Sequence, residues 1–303
     1  MGFSIGNKGY IGTGYDGTFT QDFWEYDPVG NAWTQKMSLT GAGRFYATGF
    51  SIGTKGYITT GFTASGSAQD LWEYDPVGDT WTPKTNFGGA PRYLCASFSI
   101  GTKAYVATGF DATTRYQDLW EYDQSGNSWV PKANFPGTAR YAAVAFSIGT
   151  KGYLGTGFST ALEQDFWEYN QSNDTWTPQT NFGGTARYWA CGFSVGTSGF
   201  IGLGSDGGIK QDLWEFVLPV SVNENEQPFL FSLYPDPCNG VFTVLNKTEI
   251  SAIDIYNVAG QKVFVSTSKD RKQVIDLSSK GKGIYFVVVI AGGEKMTRKI
   301  LVE

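Results

Sequence analysis

A unit of 47–48 residues recurs five times between Phe3 and Phe216, and this repeat limits the possible folds more than any other feature of the chain. The tetrad FSIG at Phe3 returns at Phe50, Phe98 and Phe146, and as FSVG at Phe193. The pentad QDFWE at Gln21 returns, with Leu or Phe at its centre, at Gln69, Gln117, Gln164 and Gln211. Each unit reads as four short strands. The first is a small-and-aromatic run after an arginine, such as 140–146. A Gly-containing turn leads to the second, 153–157. The third is 165–169, and the fourth carries Trp33, Trp81, Trp129 or Trp176. A tight turn such as 75–79 joins the last two strands. Its Pro76 and Gly78 suit a type I turn followed by a left-handed residue at the glycine.

Alternation puts Trp72 and Tyr74 on one face of the third strand and Leu71 and Glu73 on the other. Both faces are therefore apolar, and a single four-stranded sheet could not stay folded alone. Units that stack around an axis cover one another. A period of this length built from short strands is that of a propeller blade. The 16% aromatic content and 40 glycines fit many pleated strands broken by tight turns.

A strand ending in Gly, then D-x-W-x-Y, a D-P turn, a second Trp and an Arg some eleven residues on is similar to the kelch repeat. The resemblance covers residues 1–217. The kelch double glycine stands here as Thr-Gly, at Thr13, Thr60, Thr108 and Thr156, or as Leu203-Gly204. The fifth unit stops after its third strand at Phe216. Propellers of this kind often close when the N-terminus supplies the last blade's missing strand. The chain opens inside a repeat, so the expectation is an N-terminally incomplete sequence whose missing part held a signal peptide, the closing strand and further blades.

Residues 218–228 break the repeat and read as a polar linker. Residues 229–303 alternate in short strands, 241–244, 252–256, 262–265 and 284–289, as in a small immunoglobulin-like β-sandwich. This segment resembles the C-terminal sorting domain of the type IX secretion system. The residues that carry the resemblance are Tyr234-Pro235-Asp236-Pro237-Cys238-Asn239-Gly240, the run from Ile255 to Val263, Ile275-Asp276-Leu277-Ser278, Gly283-Ile284-Tyr285 and Lys299-Ile300-Leu301-Val302. Asp236 stands where the family more often has Asn. The resemblance implies engagement of that secretion machinery and passage through the outer membrane of a Bacteroidetes-type bacterium. Removal of the tail, with the body anchored at the surface or released, would follow.

The charge is uneven. Residues 1–227 hold 13 Lys/Arg against 21 Asp/Glu, and residues 228–303 hold 10 against 7. An acidic body argues against nucleic acid as the partner. The chain has no His, and its Cys95, Cys191 and Cys238 lack metal-ligand spacing, so no metal or cofactor is expected. The cysteines read as small buried apolar residues. No stretch is long and apolar enough to span a bilayer as a helix.

Strand direction places the loop between strands two and three on the same face as the connection between blades. These loops differ from copy to copy, whereas the turns on the opposite face repeat closely. Variable loops on a rigid scaffold are where binding is expected, which makes Asp111, Arg115, Glu163 and Asp206 ligand candidates. Arg44, Arg92, Arg140 and Arg187 open the innermost strands on that face. They could hold a carboxylate bidentately or bond the carbonyls of the inter-blade connection. Two residues after each arginine stand Tyr46, Leu94, Ala142 and Trp189. Trp189 lies outside the repeat pattern and could stack on a sugar or fill the core. Glu25, Glu73, Glu121 and Glu168 are expected to face Lys36, Lys84, Lys132 and Gln179. Kelch-like copper oxidases need His, which is absent, and glycoside cleavage needs paired acids that spacing alone does not provide. The expectation is a non-catalytic surface or extracellular protein that binds a glycan or a protein. A carbohydrate-active enzyme and a passive surface component are the alternatives.

Overall fold

The computed structural model describes residues 1–217, 231–267 and 269–303. The expected linker, 218–228, lies outside the described residues. The chain divides into two compact units, Met1–Pro219 and Val220–Glu303.

In the first unit the repeats form a series of antiparallel sheets. Blade 1 comprises Gly2–Ile5, Lys8–Tyr15, Phe19–Asp27 and Ala32–Lys36. Blade 2 comprises Thr48–Ile52, Lys55–Thr59, Leu71–Asp75 and Thr80–Lys84. Blade 3 runs from Ala96 to Lys132 and blade 4 from Val144 to Gln179, with the same four strands each. Blade 5 has three described strands, Cys191–Val195, Ser198–Gly202 and Leu213–Val217.

Successive innermost strands pack side by side, and both faces of the middle blades are covered. Leu119 and Tyr122 point to opposite faces of blade 3 and both are buried. Between blades, rings meet glycines: a Cβ on Gly152 would lie 2.1 Å from the Phe98 ring of the preceding blade. The end blades are different. Ile11 of blade 1 is 48% exposed and Leu213 of blade 5 is 62% exposed, whereas their counterparts Val106 and Leu119 are fully buried. The outer faces of blades 1 and 5 thus leave an apolar seam uncovered by described residues. Cys191 lies on that seam and is exposed, which corrects its expected burial.

Two strand boundaries differ from the sequence reading, for one physical reason. Blade 4's first strand is Val144–Ile148, not 140–146, because Ala142 takes φ 52° and breaks it from Arg140 and Tyr141. Its second strand is Lys151–Gly155, because Thr156 and Gly157 follow at φ 57° and 97°. Left-handed residues end a strand, and alanine and threonine do not advertise that conformation in a sequence. The outer turn was also misplaced by one residue. The left-handed residue is Asp79 at φ 49°, not Gly78, and Asn31, Asn127 and Asp174 match it. Asn and Asp tolerate this region, and Asp75 caps the turn by accepting the Val77 N–H at 3.0 Å.

The second unit is a sandwich of two antiparallel sheets. Phe231–Tyr234, Val241–Asn246 and Lys272–Asp276 form one sheet; Lys262–Ser266, Ile250–Asn257, Gly283–Ala291 and Glu294–Val302 form the other. Its core comprises Phe242, Val244, Ile253, Ile255, Ile275, Val287, Val289 and Ile300, contributed by alternate residues of both sheets.

Candidate functional site

The face that carries the variable loops is built around a backbone belt. Tyr46, Leu94, Ala142 and Trp189 all have φ between 52° and 57°. Each hands a hydrogen bond to the one before it: Leu94 N–H to Tyr46 O at 3.1 Å, Ala142 N–H to Leu94 O at 3.0 Å, and Trp189 N–H to Ala142 O at 3.2 Å. The belt fixes the backbone through main-chain bonds alone, with Ala142 buried, Leu94 half-buried and the other two side chains exposed. Tyr46 is 40% exposed and Trp189 46% exposed, and their rings stack 6.1 Å apart although three repeats separate them in sequence.

Above the belt, the residue after each arginine pairs with the start of the following variable loop. Tyr93 bridges Phe110, Tyr141 bridges Phe158, and Tyr188 bridges Ser205; the strand Arg44–Phe45 pairs with Phe62–Thr63. These bridges set aromatic rings in a continuous arc that crosses every blade boundary. Centroid distances along Phe19, Phe45, Phe62, Tyr93, Phe110, Tyr141, Phe158 and Tyr188 run from 5.1 to 6.0 Å. All of these rings are half-buried, and Tyr15 extends the arc beyond Phe19. The arc was missed from sequence, although an aromatic residue follows all four arginines and would have signalled it.

The four arginines lie beneath this surface, at most 1% exposed. Arg44 donates from Nε to Ala42 O at 3.0 Å and from Nη1 to Thr60 O at 2.9 Å, and it pairs bidentately with Asp70 at 2.5 and 2.6 Å. Arg92 with Asp118, Arg140 with Asp165 and Arg187 with Asp212 repeat the arrangement. The backbones of Arg92, Arg140 and Arg187 also receive the preceding blade, as Gly61 N–H donates to Arg92 O at 2.9 Å. Burial works to raise the Asp70 carboxyl, but the Arg44 guanidinium outweighs it and holds the group below its ordinary value. Asp212 is held well below the usual carboxylate range by Arg187, helped by the Trp214 indole. The repeated Asp was the partner that sequence reading missed; its constant spacing of 25 or 26 residues from the arginine was the available signal.

Of the loop candidates, Asp111 accepts the N–H groups of Thr113 and Thr114 at 2.9 and 2.6 Å and the Tyr116 hydroxyl. Arg115 lies over the rings of Phe110, Tyr141 and Phe158, 5.6–5.8 Å from their centroids, and its Nε has no partner. Glu163 accepts the Ser159 hydroxyl at 2.5 Å. Asp206 pairs with Lys210 at 2.6 Å and accepts the Thr185 hydroxyl, and these contacts lower its pKa to about 2. A concavity of about 530 Å³ opens between blades 4 and 5, lined by Gln164, Thr185, Arg187, Lys210, Asp212 and Trp214. The structure thus brings Arg115 and Trp189 to the aromatic surface, and it ties Asp111, Glu163 and Asp206 into hydrogen bonds close to their own loops. Among the described residues no group of three or more His, Cys, Asp or Glu is placed to hold a metal.

The recurring glutamates are anchored by tyrosines as well as by lysines. Tyr57, Tyr105 and Tyr153 donate to Glu73, Glu121 and Glu168 at 2.5, 2.7 and 3.1 Å. Lys84 and Lys132 reach Glu73 and Glu121 at 3.2 and 3.4 Å, and Gln179 reaches Glu168 at 3.4 Å. In blade 1 the ion pair to Glu25 comes from Lys8, at 2.5 Å, and Lys36 lies 3.9 Å from Asp79.

Residues 91–136 match the Kelch motif, and residues 232–303 match the secretion system C-terminal sorting domain. The solved structure of YjhT, a β-propeller, is similar to the chain with a TM-score of 0.59 at 14% identity, covering 98% of this chain and 96% of that one. Identity that low speaks for the fold alone. No curated protein sequence matches the chain. The repeats and their fold define a kelch-type β-propeller protein. Its C-terminal unit is a type IX secretion sorting domain, so the protein is exported to the cell surface or the extracellular space. None of its described helices is long and apolar enough to cross a membrane.

Proposed function

We propose that this exported protein is a binding protein without catalytic activity, and that it takes a glycan on the aromatic arc of its variable-loop face. The observation that carries the reading is the run of half-buried rings from Phe19 to Tyr188, with Tyr46 and Trp189 exposed at its inner side. Aromatic faces with polar edges suit the apolar C–H faces of sugar rings and their hydroxyls. Arg115 supplies a cation beside the rings, and the tyrosine hydroxyls supply donors. The bonding of Asp111, Glu163 and Asp206 near their own loops supports binding over glycoside cleavage, which needs two acids facing one bond. A glycan-array screen of the full chain followed by calorimetry tests the reading. Saturable binding is expected, weakened about tenfold or more by Trp189→Ala and Tyr46→Ala with unchanged melting temperature. Absence of saturable glycan binding refutes it.

A further inference from the structure

Residues 1–217 contain thirteen Lys and Arg. Twelve of them, including all eight lysines, are ion-paired with an Asp or Glu. Arg115 is the exception: it has no ion pair or hydrogen bond to any described residue, and its Nε is buried without a partner. Asp111 stands only four residues before it, but that carboxylate is filled by its own loop. It accepts the N–H groups of Thr113 and Thr114 and the Tyr116 hydroxyl at 2.9, 2.6 and 2.5 Å.

The position of Arg115 recurs in every blade, and its charge does not. In each copy this residue lies opposite the start of its variable loop: Phe19 opposite Tyr15, Ser67 opposite Phe62, Leu162 opposite Phe158 and Ile209 opposite Ser205. Only blade 3 places a cation there, opposite Phe110. The guanidinium lies 5.6–5.8 Å from the centroids of Phe110, Tyr141 and Phe158, the three rings of the arc between Tyr93 and Tyr188. Rings attract a cation but give its N–H groups no lone pair to bond. They also keep water from one side of it, so an anion arriving on the other side is held more strongly than at an open surface. Arg115 as a whole is half-buried, which leaves it within reach of such a ligand.

We propose that Arg115 holds the carboxylate of an acidic sugar, so that the glycan taken by this face is one that carries uronic acid. The proposal rests on the glycan reading above and narrows it. Guanidinium and carboxylate are both planar and match through two parallel N–H···O bonds. The carboxylate of a hexuronic acid stands at the rim of its sugar ring, and the neighbouring sugars then run over Tyr93 on one side and Tyr188 on the other. The surroundings limit how acidic the glycan can be. Residues 1–227 hold 13 Lys/Arg against 21 Asp/Glu. A densely charged chain would meet one attractive site and many repulsive ones, so the fitting ligand carries isolated carboxylates on an otherwise neutral backbone.

The test is a glycan array of neutral, uronate-bearing and sulfated glycans probed with the full chain, with poly-glutamate as a peptide control. Calorimetry then compares each uronate-bearing hit with its carboxyl-reduced form. Uronate-bearing glycans should dominate the hits, and carboxyl reduction should weaken binding about tenfold. Arg115→Met should bind the acidic and reduced forms alike, and Arg115→Lys should keep part of the difference, because a point charge cannot make the two-bond match. Arg115→Met loses no hydrogen bond and should melt at the wild-type temperature, which separates lost binding from lost folding. Neutral glycans bound as tightly as uronate-bearing ones, or a preference for sulfated glycans, would overturn the inference and leave the glycan reading standing. So would an acid preference that survives Arg115→Met. Binding of poly-glutamate and of no glycan would sink both.

Discussion

Asp118→Ala leaves the Arg92 guanidinium, 1% exposed, without its carboxylate. Two charge-assisted bonds of 2.5 and 2.9 Å are lost, and the Trp120 indole loses its acceptor at 2.8 Å. Removing one member of a buried pair costs about 3–5 kcal/mol. Two features pull the figure to the lower end. Asp118 is itself 27% exposed, so water can enter behind it. Arg92 also keeps the Ala90 and Thr108 carbonyls and the face of Tyr116, 3.5 Å from its ring centroid. A cost of about 3 kcal/mol follows, and for a unit of this size that lowers the melting temperature by about 6–12 °C. Blade 1 supplies the control. Among the described residues Asp22 has no arginine partner and accepts only the Trp24 indole, at 2.9 Å, so Asp22→Ala should cost about 1 kcal/mol. Scanning calorimetry of both variants gives the comparison, and the double variant Arg92→Met/Asp118→Leu should recover part of the loss. Equal shifts for Asp118→Ala and Asp22→Ala, or a shift below about 2 °C for the first, would refute the view that these pairs clamp the blades.

The same pairs predict an acid-sensitive fold. Asp70 and Asp212 are held below their ordinary value, so the unfolded chain binds protons more readily than the folded one. Their contribution is complete above about pH 5 and fades as pH falls past about 4; a melting temperature flat across that window would contradict it. The Thr156 hydroxyl is fully buried without a partner, whereas Thr60 bonds Thr48 at 3.2 Å, so Thr156→Val should stabilise by about 1 kcal/mol and Thr60→Val should not. Gly152→Ala, which drives a methyl into Phe98, should cost about 1–3 kcal/mol. Gly9→Ala, which meets nothing closer than 3.8 Å, should leave stability unchanged. Cys191, exposed, should alkylate quickly at neutral pH, and Cys95, whose thiol burial pushes up to about 11, should resist; mass spectrometry of timed samples decides.

The repeat, the blades and the sandwich were legible because aromatic alternation and turn residues recur at fixed spacing, and both faces of Leu119 and Tyr122 prove buried. Strand ends were less legible. Ala142 and Thr156 adopt a left-handed backbone for tertiary reasons, which no local propensity encodes. The arginines could be read either as ligands or as struts, and only their pairing with the repeated aspartates reveals how their donors are used. The aromatic arc escaped notice because its members come from two places in each repeat that meet only when neighbouring blades assemble.

The belt through Tyr46, Leu94, Ala142 and Trp189 holds by main-chain atoms alone, so almost any amino acid tolerated at a left-handed backbone can stand there. Four residues that differ from one another already do. A single codon change can therefore alter the chemistry of that surface without breaking any bond of the belt.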